Sequence, residues 1–274
     1  MSRKEPAHAI VAALALCGLF VAAHRHAAAQ TEQRYSVASR TASRSACKGL
    51  AAMDAAAREG KYLFVFFWKV NDEQSRNMYG VFQSAMKKWT ESTNSIAVQT
   101  TDPGEKPLVD KFGVSRAPMP LVVAVAPNGA ITKGLPIDFT EEQLREAFVS
   151  PCTARCMKAL QDRKLVLLCV QNEKTQFGQA ALQGVQGFKT DARFAAATEV
   201  VMIDPGDSAE TSFLQAVQVD PHTSTAVTVL LAPPGQPVAK FAGAVTKDQI
   251  VAKVQAGPCA GGKCGPGGCC PSKK

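Results

Sequence analysis

The chain has 274 residues, of which 46% are hydrophobic and 20% are charged, and its formal net charge is +8. The basic residues are scattered, without an arginine-rich stripe or interleaved aromatic residues, so the charge favours solubility and loose attraction to anionic surfaces rather than nucleic-acid binding. Beyond residue 29 the sequence contains a single histidine, His222. These features argue against nucleic acid as a partner, against a Ser-His-Asp catalytic set and against a histidine-rich metal site.

Residues 1–29 have the layout of a secretory signal peptide. Arg3 and Lys4 precede an apolar run over 9–23, and alanines at 27–29 provide a cleavage point. The apolar run is short for a membrane-spanning helix. The sequence therefore predicts cleavage, export to the periplasm or the extracellular space, and no transmembrane segment after cleavage. Lipidation at Cys17 is the alternative, although Leu16 is bulky where a small residue is wanted.

A linker at 30–44 is followed by alternating helices and strands. Gly60 is placed to end the first helix, and the next strand is apolar on both faces, as a central strand covered by helices requires. Thr140 and Gln143 form a capping box at the start of the last helix. The pattern predicts a helix at 46–58, a strand at 62–68, a helix at 75–89, a strand at 95–100, a helix at 106–112, strands at 121–126 and 131–134, and a helix from 140.

A second series of elements follows in the same order. Thr246 and Gln249 form the corresponding capping box at the start of the last helix of this series. The pattern predicts a strand at 165–170, a helix at 177–188, a strand at 199–203, a helix at 208–217, strands at 226–232 and 238–242, and a helix from 246.

Four short motifs also recur in one order, which indicates a duplicated domain of about 105 residues, a normal size for one core. The motif pairs are DPGE at 102–105 with DPGD at 204–207, APNG at 126–129 with APPG at 232–235, TEEQL at 140–144 with TKDQI at 246–250, and PC at 151–152 with PC at 258–259. We therefore predict domains at 45–151 and 152–258 and a separate tail at 259–274.

The order of elements resembles the thioredoxin fold. The segment FGVSRAP at 112–118, followed by an apolar strand, resembles the family segment in which a cis-proline precedes the fourth strand, and this implies that Pro118 is that proline. Phe67 and Trp68, at the end of an apolar strand, resemble the approach to the family's redox motif. The resemblance implies an α/β protein with two tandem thioredoxin-like domains, each a central mixed sheet flanked by helices. In the second repeat HTST at 222–225 stands near the proline's place, so any groove there is altered.

The redox motif itself is missing. Where the family has Cys-x-x-Cys at the start of a helix, this chain has DEQS at 72–75, and the repeat has NEKT at 172–175. Thiol–disulfide exchange requires a thiolate at that helix N-terminus and a second thiol to resolve the mixed disulfide. Asp72 and Ser75 are good helix-capping residues, and the alternative for the acidic pair is acid–base catalysis. Neither repeat is expected to carry out thioredoxin chemistry at the usual site.

Cysteines carry the remaining chemistry. Eight follow residue 29, and an even number in an exported protein favours disulfides. They are Cys47, Cys152, Cys156, Cys169, Cys259, Cys264, Cys269 and Cys270. Cys169 lies in an apolar strand and is expected to be buried.

Cys47 and Cys156 are predicted to precede the first helix of their repeats, and Cys152 and Cys259 to follow the last. The symmetric pairing is Cys47 with Cys152 and Cys156 with Cys259; the competing pairing is a local, reducible Cys152–Cys156 bridge.

The tail contains four of these cysteines among glycines and is expected to be flexible. Its thiols, at Cys259, Cys264, Cys269 and Cys270, are candidate ligands for Cu(I) or zinc. The spacing matches no established zinc pattern, and the same thiols are equally suited to disulfides with each other or with a partner chain. No other cofactor is expected.

Three functional hypotheses follow. The first is an exported, non-catalytic tandem thioredoxin-like protein that binds or scaffolds another envelope or secreted protein. The second is a thiol–disulfide oxidoreductase that uses displaced cysteines, either Cys152 with Cys156 or those of the tail. The third is soft-metal binding by the tail thiols. Because the motif position lacks cysteine, the sequence favours a protein that is not an enzyme.

Overall fold

The computed structural model describes residues 47–256, so the predicted signal peptide, Cys17, the linker and the cysteine-rich tail lie outside the described residues. Within the described range, no helix is both long enough and apolar enough to cross a membrane. The chain forms two four-stranded sheets, each with helices on both faces. The predicted fold class, two tandem thioredoxin-like domains, is confirmed.

Each predicted helix and strand of the first domain lies close to its predicted position, and two 3-10 helices that were not predicted are also present. The elements are α1 (Lys48–Glu59), β1 (Tyr62–Trp68), α2 (Glu73–Lys88), β2 (Thr93–Gln99), a 3-10 helix (Pro103–Glu105), α3 (Lys106–Phe112), a 3-10 helix (Val114–Arg116), β3 (Leu121–Val125), β4 (Ile131–Pro136) and α4 (Glu141–Arg145). Gly60 ends α1 in the left-handed conformation, with φ of 68°, which glycine adopts without strain.

The second domain repeats this order of α-helices and strands, with one of its two 3-10 helices placed differently. Its elements are α5 (Pro151–Gln161), β5 (Leu165–Val170), α6 (Gly178–Lys189), a 3-10 helix (Ala195–Ala197), β6 (Thr198–Ile203), a 3-10 helix (Ser208–Glu210), α7 (Thr211–Ala216), β7 (Val227–Ala232), β8 (Gln236–Ala242) and α8 (Lys247–Ala256). Both capping boxes are present: Thr140 pairs with Gln143, and Thr246 pairs with Gln249.

The two sheets have the same topology. Strand order is β2-β1-β3-β4 in the first and β6-β5-β7-β8 in the second. In each sheet the first central strand is parallel to its outer neighbour and antiparallel to the other central strand. Five consecutive residues at the centre of β1 are buried, because helices cover both of its faces. Helix α2 covers the face that contains Phe64 and Phe66, and α1 covers the face that contains Leu63, Val65 and Phe67.

The structure corrects one repeat alignment. Asp102 and Asp207 each cap a 3-10 helix by accepting a bond from the N–H two residues ahead. The segment 102–105 therefore aligns with 207–210 rather than with 204–207. The predicted pairing of DPGE with DPGD is wrong by three residues, because Asp204 directly follows β6.

Helix α5 joins the two domains. It begins at Pro151, so the predicted boundary between 151 and 152 falls in its first turn. The Gln161 side chain accepts a bond from the Ile131 N–H (2.9 Å) and donates to the Ile131 carbonyl (2.7 Å) at the start of β4. The Tyr62 hydroxyl likewise donates to the Val149 carbonyl (2.9 Å) and accepts from its N–H (3.1 Å). These hydrogen bonds attach α5 and the segment before it to one end of the first sheet.

Two glycines of α6 provide a matched test of helix packing. A Cβ at Gly184 would lie 1.8 Å from the Val245 carbonyl oxygen, whereas one at Gly187 would meet nothing closer than 3.6 Å. Because that oxygen belongs to the backbone, Gly184→Ala should lower the free energy of unfolding by about 3 kcal/mol. Gly187→Ala should raise it by about 1 kcal/mol through helix propensity. Urea denaturation of both variants measures the two changes in the free energy of unfolding, and equal effects would contradict the close approach of α6 to the Val245 carbonyl.

Candidate functional site

The position of the missing redox motif lies where β1 leads into α2. Asp72 is the N-cap of α2, and its carboxylate accepts a bond from the Ser75 N–H at 2.8 Å. The bonds from the backbone and side chain of Ser75 lower the pKa of the Asp72 carboxyl. A carboxylate thus stands at the positive end of the helix, where a redox enzyme of this fold would hold a thiolate. The capping prediction for Asp72 is confirmed.

The equivalent position in the second domain is built differently. The Asn172 side chain accepts from the Lys174 N–H (3.0 Å), and the Thr175 hydroxyl accepts from the Asn172 N–H (3.1 Å), which together form a tight turn. Helix α6 starts only after Phe177, which has φ of 63° and is 57% exposed. A bulky residue rarely adopts this left-handed conformation. The second domain therefore presents an aromatic ring rather than a capped polar motif.

The cis-proline is not the predicted one. The cis peptide bond of the first domain lies between Met119 and Pro120, and Pro118 precedes it, so the prediction for Pro118 is wrong by two residues; a second cis bond joins Pro233 to Pro234 in the second domain. Pro120 directly precedes β3, and its carbonyl accepts a bond from the Ile137 N–H at 2.7 Å. In the second domain Ala226 stands at the equivalent place and accepts from the Gly243 N–H at 2.8 Å. The second domain has no proline at this point.

A cleft opens beside the motif position, between α2 and the sheet. Its volume is about 330 Å³, and it is lined by Phe66, Trp68, Asn71, Ser75, Arg76, Tyr79 and Ala97. Three of these side chains are aromatic, and one is charged. A cavity of this size and composition lies at the lower end of the range of small-ligand sites.

A buried glutamate lies under the first helix of the first domain. The Glu105 carboxylate accepts bonds from the N–H groups of Lys48 (3.1 Å) and Gly49 (2.9 Å), and from the thiol of Cys47 (3.3 Å). These backbone N–H groups belong to the first turn of α1, which has no other partner for them within the helix. A Cβ at Gly49 would lie only 2.8 Å from the carboxylate, so glycine permits the close approach. Glu105 therefore ties α1 to the segment after β2.

Glu210 occupies the matching position in the second domain and is also buried. Its carboxylate accepts a bond from the Thr153 hydroxyl in the first turn of α5, at 3.1 Å. The thiol of Cys152 lies beside it and donates to the Met202 carbonyl at 3.4 Å. Sequence reasoning missed both glutamates. The available signal was a glutamate three residues after an N-cap aspartate in each repeat, Asp102 and Asp207.

No disulfide joins any two of the four cysteines within residues 47–256, so two predicted bridges are corrected. Cys47 and Cys152 do not pair, because Cys47 lies in the core of the first domain and Cys152 packs against the core of the second. Cys152 and Cys156 are not joined either; both lie within α5, and the prediction that Cys156 precedes that helix is wrong. The predicted Cys156–Cys259 bridge involves a residue outside the described range. Cys169 is buried in β5, as predicted.

The environment of these thiols keeps them protonated. Burial raises the pKa of Cys156 to about 12, and burial also raises that of Cys169 to about 12. Burial first, and then the charge of Glu210, raise the pKa of Cys152. Burial and the Glu105 carboxylate raise the pKa of Cys47. Thiolates at neutral pH are therefore disfavoured at all four positions.

The sequence predicted metal ligands only in the cysteine-rich tail. Among residues 47–256, no three His, Cys, Asp or Glu side chains lie together in a way that would hold a metal ion. The predicted tail ligands Cys259, Cys264, Cys269 and Cys270 fall outside the described range. The His222 N–H donates to the Asp220 side chain at 2.8 Å in an exposed loop, as expected of a turn residue.

Among known proteins, the chain shows similarity only to solved structures. No family model matches the chain, and no curated protein matches it. Solved structures similar to it include oxidised thioredoxin from Plasmodium falciparum, with 14% identity, a TM-score of 0.29, and coverage of 35% of this chain and 86% of that one. The first two thioredoxin domains of Naumovozyma dairenensis Eps1p have 10% identity and a TM-score of 0.28, with 74% and 94% covered.

Human ERp44 in its zinc-bound form is similar at 8% identity and a TM-score of 0.32 over 76% of this chain, which spans 59% of the ERp44 chain. These likenesses are weak, and the fold is assigned from the order and direction of the strands in each sheet. That topology, with a helix following each parallel strand, defines two thioredoxin-like domains. At both motif positions the sequence lacks cysteine.

The buried glutamate can be tested with an isosteric change. Glu105→Gln places an NH₂ group or a weaker acceptor against the two helix N–H groups, and one of these donors loses its partner. We expect the free energy of unfolding to fall by about 2 kcal/mol. Glu91→Gln, at an exposed position, should change it by less than about 0.5 kcal/mol. Chemical denaturation of both variants measures the difference, and equal stabilities would show that Glu105 does not hold α1.

Thiol reactivity tests the electrostatics around Cys152. In the folded full-length chain, alkylation followed by peptide mass spectrometry should modify Cys152 and leave Cys47, Cys156 and Cys169 protected. Glu210→Gln should accelerate alkylation of Cys152 several-fold at a fixed neutral pH, because it removes a charge that raises the pKa of the thiol. The exposed Glu173→Gln variant serves as the control. An unchanged rate in the Glu210 variant would contradict this account.

Proposed function

We propose that this protein is an exported binding module, in which two thioredoxin-like domains hold another envelope or secreted protein and perform no thiol–disulfide exchange. The observation that carries the proposal is the capped start of α2, where the Asp72 carboxylate accepts the Ser75 N–H at 2.8 Å. Exchange requires a thiolate at that helix end. A carboxylate there cannot form a mixed disulfide, and the fold then serves as a rigid surface beside an open cleft. Export rests on the sequence of residues 1–29.

The competing oxidoreductase hypothesis receives little support from the described cysteines. Cys152 is partly accessible, but its buried neighbour Cys156 has a pKa raised to about 12. A thiol with such a pKa contributes almost no thiolate at neutral pH, so it is poorly suited to resolve a mixed disulfide. The soft-metal hypothesis depends on the tail thiols, and a chain lacking residues 259–274 separates it from the other two.

Reduction of insulin by dithiothreitol tests the catalytic half of the proposal. The full-length mature chain should not accelerate the reaction. The double variant Asp72→Cys with Ser75→Cys should gain measurable activity, because it restores two thiols at the helix N-terminus of an intact fold. Acceleration by the unmodified chain that disappears in Cys152→Ser, or on deletion of 259–274, would overturn the proposal in favour of displaced cysteines.

Site-specific photo-cross-linking tests the binding half. A benzoylphenylalanine at position 74 lies beside the capped motif, and one at position 91 lies at the opposite end of β2; both positions are exposed. In the protein's own compartment, position 74 should give a discrete cross-linked product and position 91 should not. Equal products at both positions, or none at position 74, would contradict binding at the motif end of the first domain.

A further inference from the structure

The cleft beside α2 exists because β2 has small side chains on the face that α2 covers. Ala97 lies opposite Phe66 in the parallel register, and Ser95 lies opposite Phe64; both Ala97 and Ser95 are exposed. The Tyr79 ring packs against Phe66, with centroids 5.2 Å apart, and Trp68 closes the side nearest the motif. An apolar volume of about 330 Å³ is left between these aromatic walls. A flat ring that enters such a space gains burial and edge-to-face contacts.

Arg76 is the single charged side chain that lines the cleft. One guanidinium N–H donates to the Asn71 carbonyl at 2.8 Å. Among the described residues, no carboxylate lies within ion-pairing distance of Arg76. The nearby Asp72 carboxylate accepts a bond from the Ser75 N–H, and the Arg76 charge helps to lower the pKa of Asp72 without forming an ion pair with it. A guanidinium has five N–H donors, so most of those on Arg76 are available to an incoming acceptor.

We propose that this cleft binds the C-terminal aromatic residue of a partner protein, with the ring between Trp68, Phe66 and Tyr79 and the terminal carboxylate on Arg76. A C-terminal aromatic residue carries its ring and its carboxylate on the same Cα, so both groups reach a small site that combines aromatic walls with the Arg76 guanidinium. Paired N–H···O bonds from arginine to a carboxylate are strong and directional. The assignment names the ligand of the binding module and rests on the proposed function.

The test uses calorimetric titration of the full-length mature chain with a glycine–serine hexapeptide that ends in phenylalanine. The free acid should bind, and the same peptide with a C-terminal amide should bind at least about tenfold more weakly, because it lacks the charge that Arg76 recognises. A peptide that ends in alanine should also bind at least about tenfold more weakly, because it leaves the aromatic walls uncovered. Equal affinities for the acid and the amide would overturn the proposal.

Two pairs of variants locate the binding. Arg76→Gln should lower the affinity for the acid to that of the amide and leave the amide unchanged, whereas Arg58→Gln, on α1, should have no effect. Ala97→Leu fills the cleft and should abolish binding of both peptides. Ser95→Leu adds the same side chain two residues away on the same face of β2, outside the cleft lining, and controls for any effect on folding. Binding that survives Ala97→Leu would overturn the proposal.

A third probe distinguishes a protein C-terminus from a small aromatic acid as the ligand. N-acetyl-phenylalanine presents the same ring and carboxylate without a peptide chain, and it should bind more weakly than the hexapeptide. Equal affinity would overturn the assignment to a protein C-terminus and favour a small aromatic acid. A cross-linked product at position 74 without any peptide binding would overturn the cleft assignment alone and leave the proposed binding function standing. Absence of both the cross-linked product and peptide binding would overturn both the cleft assignment and the proposed binding function.

Discussion

A buried carboxylate under the first helix is the constraint on which each domain depends. Glu105 and Glu210 are almost fully enclosed, and an enclosed charge is costly unless donors surround it. Glu105 satisfies this condition with two backbone N–H groups and a thiol, and Glu210 takes a hydroxyl from α5. Because the donors belong to the first helix and the glutamate follows the parallel edge strand, the interaction fixes the helix against the sheet. This contact also positions the loops at the motif end of the sheet.

Carboxylates also surround the groups that would carry out redox chemistry in this fold. In a redox-active protein of this fold, the positive end of a helix stabilises a thiolate. Here that end of α2 is capped by Asp72, while Cys47 and Cys152 lie next to carboxylates that oppose ionisation. Within residues 47–256, an acidic group therefore stands at the start of the motif helix, and the thiols lie where their ionisation is disfavoured. This arrangement supports the proposed binding role.

The duplication supplied two scaffolds with different surfaces. The first domain has a capped motif and an aromatic cleft beside α2, whereas the second has a turn at 172–175 and the exposed ring of Phe177. Helix α5 contributes to both domains, since Gln161 bonds to the end of the first sheet and Cys156 lies in the second core. The two domains share one sheet topology, and the loops at the ends of the strands determine what each domain presents.

The sequence by itself determined the order of helices and strands, the duplication, and caps such as Asp72 and Thr140, because these depend on periodicity and on contacts within four residues. Tertiary structure decided the rest. Glu105 meets Cys47 across 58 residues, and no local pattern specifies that pairing. In the first domain the cis bond lies at Pro120 rather than Pro118, and both residues follow X-Pro rules equally well in the sequence. Contacts between distant segments determine which groups lie next to each thiol, which X-Pro bond is cis, and where the cleft forms. Each of these depends on which surfaces the folded chain brings together.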